Sequence, residues 1–305
     1  MQRNIQLILT QDKNALEAAL ELDSGTARIE AQLLLQQVLG VSRAYLLAHP
    51  EQVLDAAQAA AYQTLLQRRL HGEPLAYILG EREFFGLNFK VTPATLIPRP
   101  DTELLVELAL QRIPSPDRSA TFFRSRESGL GRGESIRVLD LGTGSGAIAL
   151  SIAHARPDAA VTAVDASLAA LDVARENAQR LHLANVRLLH SDWFAALAAE
   201  RFDIIVSNPP YIVSGDPHLQ QGDLRFEPAT ALASGSDGLD DIRRIVAEAP
   251  AHLHPGGWLL FEHGYDQAGK VRALLRQSGL IEVFSARDLA GIERVSGGRV
   301  AQTQS

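Results

Sequence analysis

The spacing of apolar residues is helical over roughly the first quarter of the chain. Apolar positions there recur at intervals of three and four, as in Ile29–Leu35, which is the period of a helix with one buried face. Gly40, Pro50 and Gly72–Pro74 interrupt the pattern, and Asp23–Ser24 is a candidate cap for the helix that contains Ile29. The pattern predicts a small helical domain over residues 1–82, built from about four helices.

The pattern changes at residues 83–91, where large apolar residues roughly alternate with small or polar ones around Gly86. This alternation predicts a β-hairpin. The next stretch, TLIPRPDTE, contains two prolines that fix an extended path, and Asp101 or Thr102 is a candidate cap for a helix that runs to about Arg112. We therefore expect the hairpin and a hinge, together residues 83–100, to join two domains.

From Ile136 onward, β-type apolar runs alternate with helical ones, and we assign them to a second domain at residues 101–305. This alternation predicts an α/β fold with a parallel, doubly wound sheet that binds ligands at the carboxyl ends of its strands. The predicted strands are Arg137–Leu141, Ala160–Asp165, Val186–Leu189, Phe202–Val206 and Gly257–Glu262, and the first two predicted helices between them are Ala147–Ala155 and Ser167–Leu181.

Residues 114–135 interrupt this second domain with an excess of Ser, Arg and Gly and without apolar periodicity. Such a composition predicts a flexible surface insertion. An arginine-rich contact for RNA or for a charged partner is the alternative, and the adjacent Phe122 and Phe123 keep it open.

Composition and charge exclude several classes of protein. The chain has 305 residues, with 29 Lys and Arg against 36 Asp and Glu and a formal charge of −7, so it lacks the global positive field that binds nucleic acids through their phosphates. It contains no cysteine, which excludes disulfides and thiolate metal sites. It has neither a signal-peptide-like start nor a run of ~18 apolar residues. We expect a soluble, cytoplasmic protein that does not bind membranes.

A glycine-rich turn follows the first strand of the second domain, in the stretch VLDLGTGSGAIA. Glycines at alternate positions permit positive φ and let the backbone approach a ligand. Dinucleotide-binding enzymes also place glycines here, and Asp165 at the end of the next strand fits ribose recognition in either case. Here the glycines fall at every second residue, unlike those of G-x-G-x-x-G, and this difference favours binding of a methionine moiety over binding of a pyrophosphate. A tight turn without a ligand is the remaining alternative.

An acidic residue and an aromatic residue, Asp192 and Trp193, follow the third strand of this domain. A carboxylate accepts a hydrogen bond from an adenine amino group, and an indole packs on a flat ring. A single Trp is more often part of a core, but its place at the carboxyl end of a strand favours the ligand interpretation.

The stretch VSNPPYI offers the strongest catalytic signal in the chain. Two successive prolines remove two backbone donors and stiffen the chain, which leaves the Asn208 side-chain oxygen and the Pro209 carbonyl as fixed acceptors. Two convergent acceptors hold both hydrogens of an NH₂ group, as methyl transfer to a planar amide or aryl amine requires. The alternative is a turn with no catalytic role.

From about residue 25 to residue 300 the chain resembles the bacterial peptide chain release factor glutamine methyltransferases. The matching stretches are GEPLAYILGEREFFGL, VTPATLIPRPDTELLVE, VLDLGTGSGAIAL, SDWF, VSNPPYI and DPHLQQGDLRFEP. The ribosomal protein glutamine methyltransferases differ where this chain reads LIPRPDTE, so that segment favours the release-factor enzymes.

This resemblance implies a class I, Rossmann-like methyltransferase domain with a seven-stranded, mostly parallel sheet, joined by the β-hairpin to the small helical domain. It implies S-adenosylmethionine as cofactor and, as substrate, the glutamine amide in the GGQ motif of class 1 release factors, docked by the helical domain. The residues implied for the cofactor are Gly142, Thr143, Gly144, Ser145, Gly146, Asp165, Asp192, Trp193 and Asn208, those implied for the substrate are Asn208, Pro209, Pro210, Tyr211 and Arg99, and those implied for catalysis are Asn208, Pro209 and Tyr211.

Two other functions are alternatives to this one. A DNA adenine methyltransferase shares an Asn-Pro-Pro-Tyr motif, but the charge of −7 and the absence of a large basic domain argue against DNA binding. A sensor that binds S-adenosylmethionine without catalysis would not need that motif. His252 and His254 lie close together, but their spacing is typical of a solvated loop, and we expect no metal site. We also expect a monomer.

Overall fold

The computed structural model describes residues 3–114 and 135–302. The predicted insertion at 114–135 therefore lies, apart from its two end residues, outside the described residues. The chain forms two compact units: one ends at Glu81 and also includes Gln220–Phe226, and the other comprises Arg82–Leu219 and the chain from Glu227 onward.

The first unit is helical, as its periodicity predicts. Its described residues form α1 (Ile5–Leu20), α2 (Ser24–Leu39), α3 (Arg43–Ala48), α4 (Ala56–Leu70) and α5 (Leu75–Leu79). Asp23 caps α2 as predicted, because its side chain accepts the backbone N–H groups of Gly25 and Thr26. The sequence predicts about four helices here, whereas the described residues form five α-helices. The five residues of α5, between Pro74 and a left-handed Gly80, are too short to show a helical period.

A buried ion pair ties this helical unit together. The Arg69 guanidinium on α4 donates to both carboxylate oxygens of Glu30 on α2, at 2.7 and 3.0 Å. Arg69 also lies 3.8 Å from a carboxylate oxygen of Asp223, and Arg225 donates to the His71 carbonyl oxygen. The segment Gln220–Phe226 is thus held on the helices by charged contacts that no local pattern indicates.

The second unit is an α/β fold built on a seven-stranded sheet. It begins with the two-stranded hairpin β1 (Glu81–Phe84) and β2 (Leu87–Lys90), as predicted. Besides short 3-10 helices, its described α-helices and strands are, in chain order, α6 (Glu103–Arg112), β3 (Arg137–Leu141), α7 (Ala147–Ala155), β4 (Ala160–Asp165), α8 (Leu168–Arg180), β5 (Val186–His190), β6 (Phe202–Ser207), α9 (Asp240–Glu248), β7 (Leu253–Glu262), α10 (Ala268–Gln277), β8 (Ile281–Arg287) and β9 (Glu293–Arg299).

The strand order is β5-β4-β3-β6-β7-β9-β8, with β5 to β7 parallel and β9 antiparallel to both neighbours. The predicted mostly parallel sheet is confirmed. Neighbouring residues of one strand face opposite sides: Val138 and Ile204 join a core with α6 and α7, while Leu139 and Ile205 join a core with α9 and α10. Both faces of the sheet are therefore covered, which leaves the strand ends for ligands. Within the described ranges, no helix combines the length and apolar character that a membrane crossing needs.

Two local predictions are wrong. The predicted cap by Asp101 or Thr102 is one: α6 has no side-chain capping hydrogen bond, and the Thr102 hydroxyl donates instead to Glu262 of β7. His254 lies in β7, not in a loop. Between the paired residues Leu253 and Trp258, β7 has more residues than β6 has opposite them, so the glycine-rich stretch after His254 forms a bulge within the strand.

A fully buried Asn177 on α8 connects the hairpin to the glycine-rich turn. Its Nδ2 donates to the carbonyl oxygens of Lys90 and Ser145, both at 2.9 Å, and its Oδ1 accepts the Lys90 N–H at 2.7 Å. All three hydrogen bonds of the Asn177 side chain are made to backbone groups that would otherwise be buried without partners. Asn177 thereby sets the place of the turn from outside the turn.

We expect Asn177→Ala to lower the free energy of unfolding by at least about 3 kcal/mol, because it leaves three buried backbone groups without their hydrogen-bond partner and each unsatisfied buried group costs about 1 to 3 kcal/mol. Urea unfolding followed by tryptophan fluorescence measures this, since both tryptophans, Trp193 and Trp258, lie in the second unit. The exposed Gln179→Ala on the same helix is the control. Equal midpoints for the two variants would contradict the role of Asn177.

Candidate active site

A cleft of about 430 Å³ lies at the carboxyl ends of β3 to β6. Its walls come from the hairpin, the segment after the hairpin, the glycine-rich turn and the residues that follow β4, β5 and β6. The predicted site residues in these walls are Arg99, Gly142, Thr143, Gly144, Ser145, Asp165, Asp192, Trp193, Asn208 and Pro210. Gly146, Pro209 and Tyr211 are not among the described residues that line it.

The glycine-rich turn after β3 needs glycine for two different reasons. Gly142, Gly144 and Gly146 all have positive φ, at +70°, +56° and +85°. A Cβ on Gly142 would lie 3.4 Å from the Trp193 ring, and a Cβ on Gly146 would lie 2.9 Å from a Leu150 side-chain carbon. At the first position a Cβ would make only ordinary contact with the indole, so the positive φ is what favours glycine there, whereas the third glycine also lets the turn pack closely on α7.

A buried carboxyl group, Asp140, stands directly behind this turn. Its Oδ2 accepts the Thr143 hydroxyl at 2.7 Å and the Ala149 N–H at 3.2 Å. Its Oδ1 is buried and has no hydrogen-bond partner in the part of the chain that the structure describes. Burial raises the pKa of Asp140 to about 7, against two hydrogen bonds that lower it. Asp140 therefore supports the turn through one oxygen, while its other oxygen accepts no hydrogen bond from the described residues.

The side chain of Asp165, at the end of β4, holds the turn from the cleft side. Its Oδ2 accepts the Gly144 N–H and its Oδ1 accepts the Ser167 N–H, both at 2.8 Å. Burial raises its pKa above the ordinary value, and the two backbone hydrogen bonds oppose that shift. Each oxygen has a further lone pair, so the carboxylate is able to accept ligand hydroxyls as well.

The loop after β5 places an ion pair and an indole at the rim of the cleft. Arg244 of α9 donates to both oxygens of Asp192 at 2.9 Å. Trp193 adopts a left-handed backbone with φ +48°, and its carbonyl accepts the Ser191 hydroxyl at 2.8 Å. Arg244 was not predicted from the sequence, because its partner is 52 residues distant and its helix carries several other charged residues.

The Asn-Pro-Pro-Tyr stretch directly follows β6. Asn208 and Pro210 line the cleft, and Pro209 is buried. The Tyr211 ring packs against the core with α9 and α10, and its hydroxyl donates to Glu262 at 2.9 Å. The Tyr211 carbonyl accepts Nε2 of Gln267 at 2.9 Å. The structure therefore braces Tyr211 at both its hydroxyl and its carbonyl oxygen.

Two further residues reach this motif from distant parts of the chain. The Asn208 amide nitrogen donates to the Thr102 hydroxyl oxygen at 3.3 Å, and the Thr102 hydroxyl donates to Glu262 at 2.6 Å. Burial raises the pKa of Glu262, while the bonds from Thr102 and Tyr211 oppose that shift. The sequence indicates Thr102 only as a candidate helix cap. Glu262 was the last residue of a predicted strand, and the rule that ligands bind at carboxyl ends could have drawn attention to it.

The arginine of the hinge segment is also held from a distance. Arg99 lines the cleft and forms an ion pair with Glu227, whose side chain is fully buried. The pairing brings a residue of the segment after the hairpin together with the residue that directly follows Gln220–Phe226. The pair keeps a guanidinium in the wall of the cleft without leaving its charge uncompensated.

Comparison with known proteins gives a consistent family. Residues 9–80 match the model of the PrmC N-terminal domain, and residues 127–230 match that of the methyltransferase small domain. A Bordetella pertussis protein named release factor glutamine methyltransferase is 56% identical over 277 residues, covering 90% of this chain and 96% of that protein. A Burkholderia pseudomallei protein of the same name is 51% identical, with 95% and 98% covered.

Solved structures of methyltransferases share the fold at low sequence identity. The hMettl16 catalytic domain matches with a TM-score of 0.54 at 15% identity, covering 83% of this chain and 86% of that one. A methyltransferase from Pyrococcus furiosus matches with a TM-score of 0.50 at 20% identity, covering 78% and 99%. At such identities the likeness concerns the fold alone.

We expect Asp165→Asn to weaken binding of S-adenosylmethionine about tenfold, since an amide turns a donor toward one of two N–H groups and loses a charge-assisted bond. Isothermal titration calorimetry measures the dissociation constant. Asp172→Asn on α8, whose side chain is 74% exposed, is the matched control. An Asp165 variant that binds within twofold of the unaltered chain would remove this residue from the cofactor site.

Proposed function

The chain belongs to the release factor glutamine methyltransferase family, and from that membership we propose that it methylates the side-chain amide nitrogen of the GGQ glutamine in class 1 release factors. The observation that carries the proposal is the Asn-Pro-Pro-Tyr stretch at the carboxyl end of β6, with Asn208 in the wall of the cleft. The methyl donor is S-adenosylmethionine.

The described residues of the cleft fit this cofactor. Gly142 and Gly144 bring bare backbone to the cleft, and a Cβ on Gly144 would meet no described atom within 4 Å, so the turn is open on that side. The carboxylate of Asp165 suits ribose hydroxyls, and the indole of Trp193 suits an adenine ring. When bound, the cofactor supplies an electrophilic methyl group.

The role proposed for the chain in the reaction is to hold and aim the substrate amide. An amide nitrogen is a weak nucleophile because its lone pair is delocalised, so its position relative to the methyl group controls the rate. The proposed acceptors for the two hydrogens of the NH₂ group are the Asn208 oxygen, in the wall of the cleft, and the carbonyl of the adjacent Pro209, whose side chain is buried behind that wall. The new N–C bond forms as the bond between the methyl carbon and the donor sulfur breaks, and that sulfur leaves as a neutral thioether. The nitrogen becomes acidic in the process, and its proton passes to water or a backbone acceptor without a dedicated base.

A protein substrate agrees with a net charge of −7, which disfavours direct DNA binding. We propose that the enzyme acts as a monomer and, because its substrate is a translation factor, in the cytoplasm.

The proposed activity is tested by incubating the chain with an unmodified class 1 release factor and methyl-labelled S-adenosylmethionine, followed by mass spectrometry of the GGQ peptide. We expect one added methyl group on that glutamine, and none on a factor in which the glutamine is replaced by alanine. A parallel reaction contains duplex DNA. Label in DNA alone would replace the proposal with an adenine methyltransferase, and label in neither substrate would contradict it.

We expect Asn208→Ala to lower kcat by at least about 100-fold, because removal of one preorganised polar group has an effect of about this size in other active sites. The dissociation constant for S-adenosylmethionine should change by no more than about threefold, a small effect on the scale of one hydrogen bond. Single-turnover methylation and calorimetry separate the two quantities. Near-normal turnover in the variant would refute the role given to Asn208.

A further inference from the structure

A chain of hydrogen bonds runs behind the Asn-Pro-Pro-Tyr stretch, from Asn208 through Thr102 to Glu262. The Thr102 side chain is buried, and its oxygen lies 3.3 Å from Asn208 Nδ2 and 2.6 Å from Glu262 Oε2. The other oxygen of Glu262 accepts the Tyr211 hydroxyl at 2.9 Å. Three segments that are far apart in sequence thus meet in one polar network within the second unit.

The direction of each hydrogen bond in this network follows from the donor inventory. Ionised Glu262 only accepts, so both hydroxyl hydrogens, those of Thr102 and Tyr211, are committed to it. Burial and the charge of Asp101 raise the pKa of Glu262, whereas the two hydroxyl donors and the charge of Arg294 on β9 lower it. The geometry, with one hydroxyl at 2.6 or 2.9 Å from each oxygen, fits a carboxylate that accepts from both. Having given its single hydrogen to Glu262, the Thr102 oxygen is left only with lone pairs, and it accepts from Asn208.

This direction decides how the Asn208 amide is turned. Its NH₂ group is the end that Thr102 accepts from, so its oxygen is the end left for the cleft that Asn208 lines. An amide rotated by 180° would point its oxygen at a lone pair of Thr102 and offer donors to a substrate NH₂ group, which needs acceptors. The correct rotamer and the wrong one differ only in polarity, and shape does not separate them.

We propose that Glu262 is a positioning residue, which acts through Thr102 to hold the Asn208 side-chain oxygen toward the substrate amide. This inference rests on the proposed function and adds to it the source of the selectivity between the two amide orientations. Tyr211 also belongs to this network, because its hydroxyl donates to the second oxygen of Glu262 and its carbonyl accepts a hydrogen bond from Gln267. Glu262 and Thr102 do not touch the reacting atoms in this assignment.

Three variants test the proposal, with methylation of the release-factor glutamine and binding of S-adenosylmethionine as readouts. Glu262→Gln offers Thr102 a donor, which frees the hydroxyl hydrogen to attract the Asn208 oxygen, so we expect kcat to fall about 100-fold. Thr102→Val keeps the shape of the side chain and removes the hydroxyl, and we expect a fall of about tenfold. Thr102→Ser keeps the hydroxyl and removes a methyl group, so kcat should stay within about threefold.

Comparison of Thr102→Val with Thr102→Ser separates the effect of the hydroxyl group from that of the methyl group. A packing role would spare the valine variant and damage the serine variant, which is the opposite of our expectation. The buried Thr162→Val on β4 is the control for loss of a threonine hydroxyl elsewhere in the sheet, and its kcat should be unchanged. The cofactor dissociation constant should stay within about threefold in all four variants, because the network concerns the substrate amide.

The outcomes are distinct from those of the proposed function. If the unaltered chain does not methylate the glutamine, the proposed function fails. If the unaltered chain is active and Glu262→Gln and Thr102→Val keep kcat within about threefold of it, only the positioning role is overturned. If Glu262→Gln fails to fold by circular dichroism, the valine and serine variants decide the question on their own.

Discussion

Parallel pairing of β4, β3, β6 and β7 is the constraint on which the site depends. Parallel strands end at one edge of a sheet, so the residues that follow them are brought together although the chain between them is long. Asp165, Asn208 and Glu262 reach this edge from three different strands. The covering helices on both faces leave that edge as the place where polar side chains meet a ligand.

The site contains three carboxyl groups, and burial disfavours the charged form of each one. The pKa values of Asp140, Asp165 and Glu262 are all raised by desolvation, and each group is partly compensated by hydrogen bonds from the chain. Buried carboxylates of this kind contribute little to stability, and removal of their partners leaves them costly. Each of them accepts hydrogen bonds that join separate elements: Asp140 and Asp165 accept from the glycine-rich turn, and Glu262 accepts from Thr102, which in turn accepts from Asn208.

Local sequence was a good guide wherever a short segment decides its own conformation. The capping of α2 by Asp23 and the start of β4 at Ala160 follow from side-chain type and apolar period over a few residues. Errors arose where a distant partner competes with the local preference. Thr102 is a good capping residue by type, yet its hydroxyl binds Glu262, a carboxylate 160 residues distant. A glycine-rich stretch of loop-like composition joined β7 because β6 pairs on both sides of it.

The sequence by itself determined the α/β class, the alternation of strands and helices from β3 to β7, the glycine-rich turn, and the motif that carries Asn208. These are properties of periodicity, glycine placement and proline, which act over a few residues. Only the tertiary structure decided which partners complete the site: Arg244 for Asp192, Glu227 for Arg99, and Thr102 with Glu262 for Asn208. The physical reason is that a hydrogen bond between side chains depends on where the sheet brings two strand ends, and sequence spacing does not encode that distance.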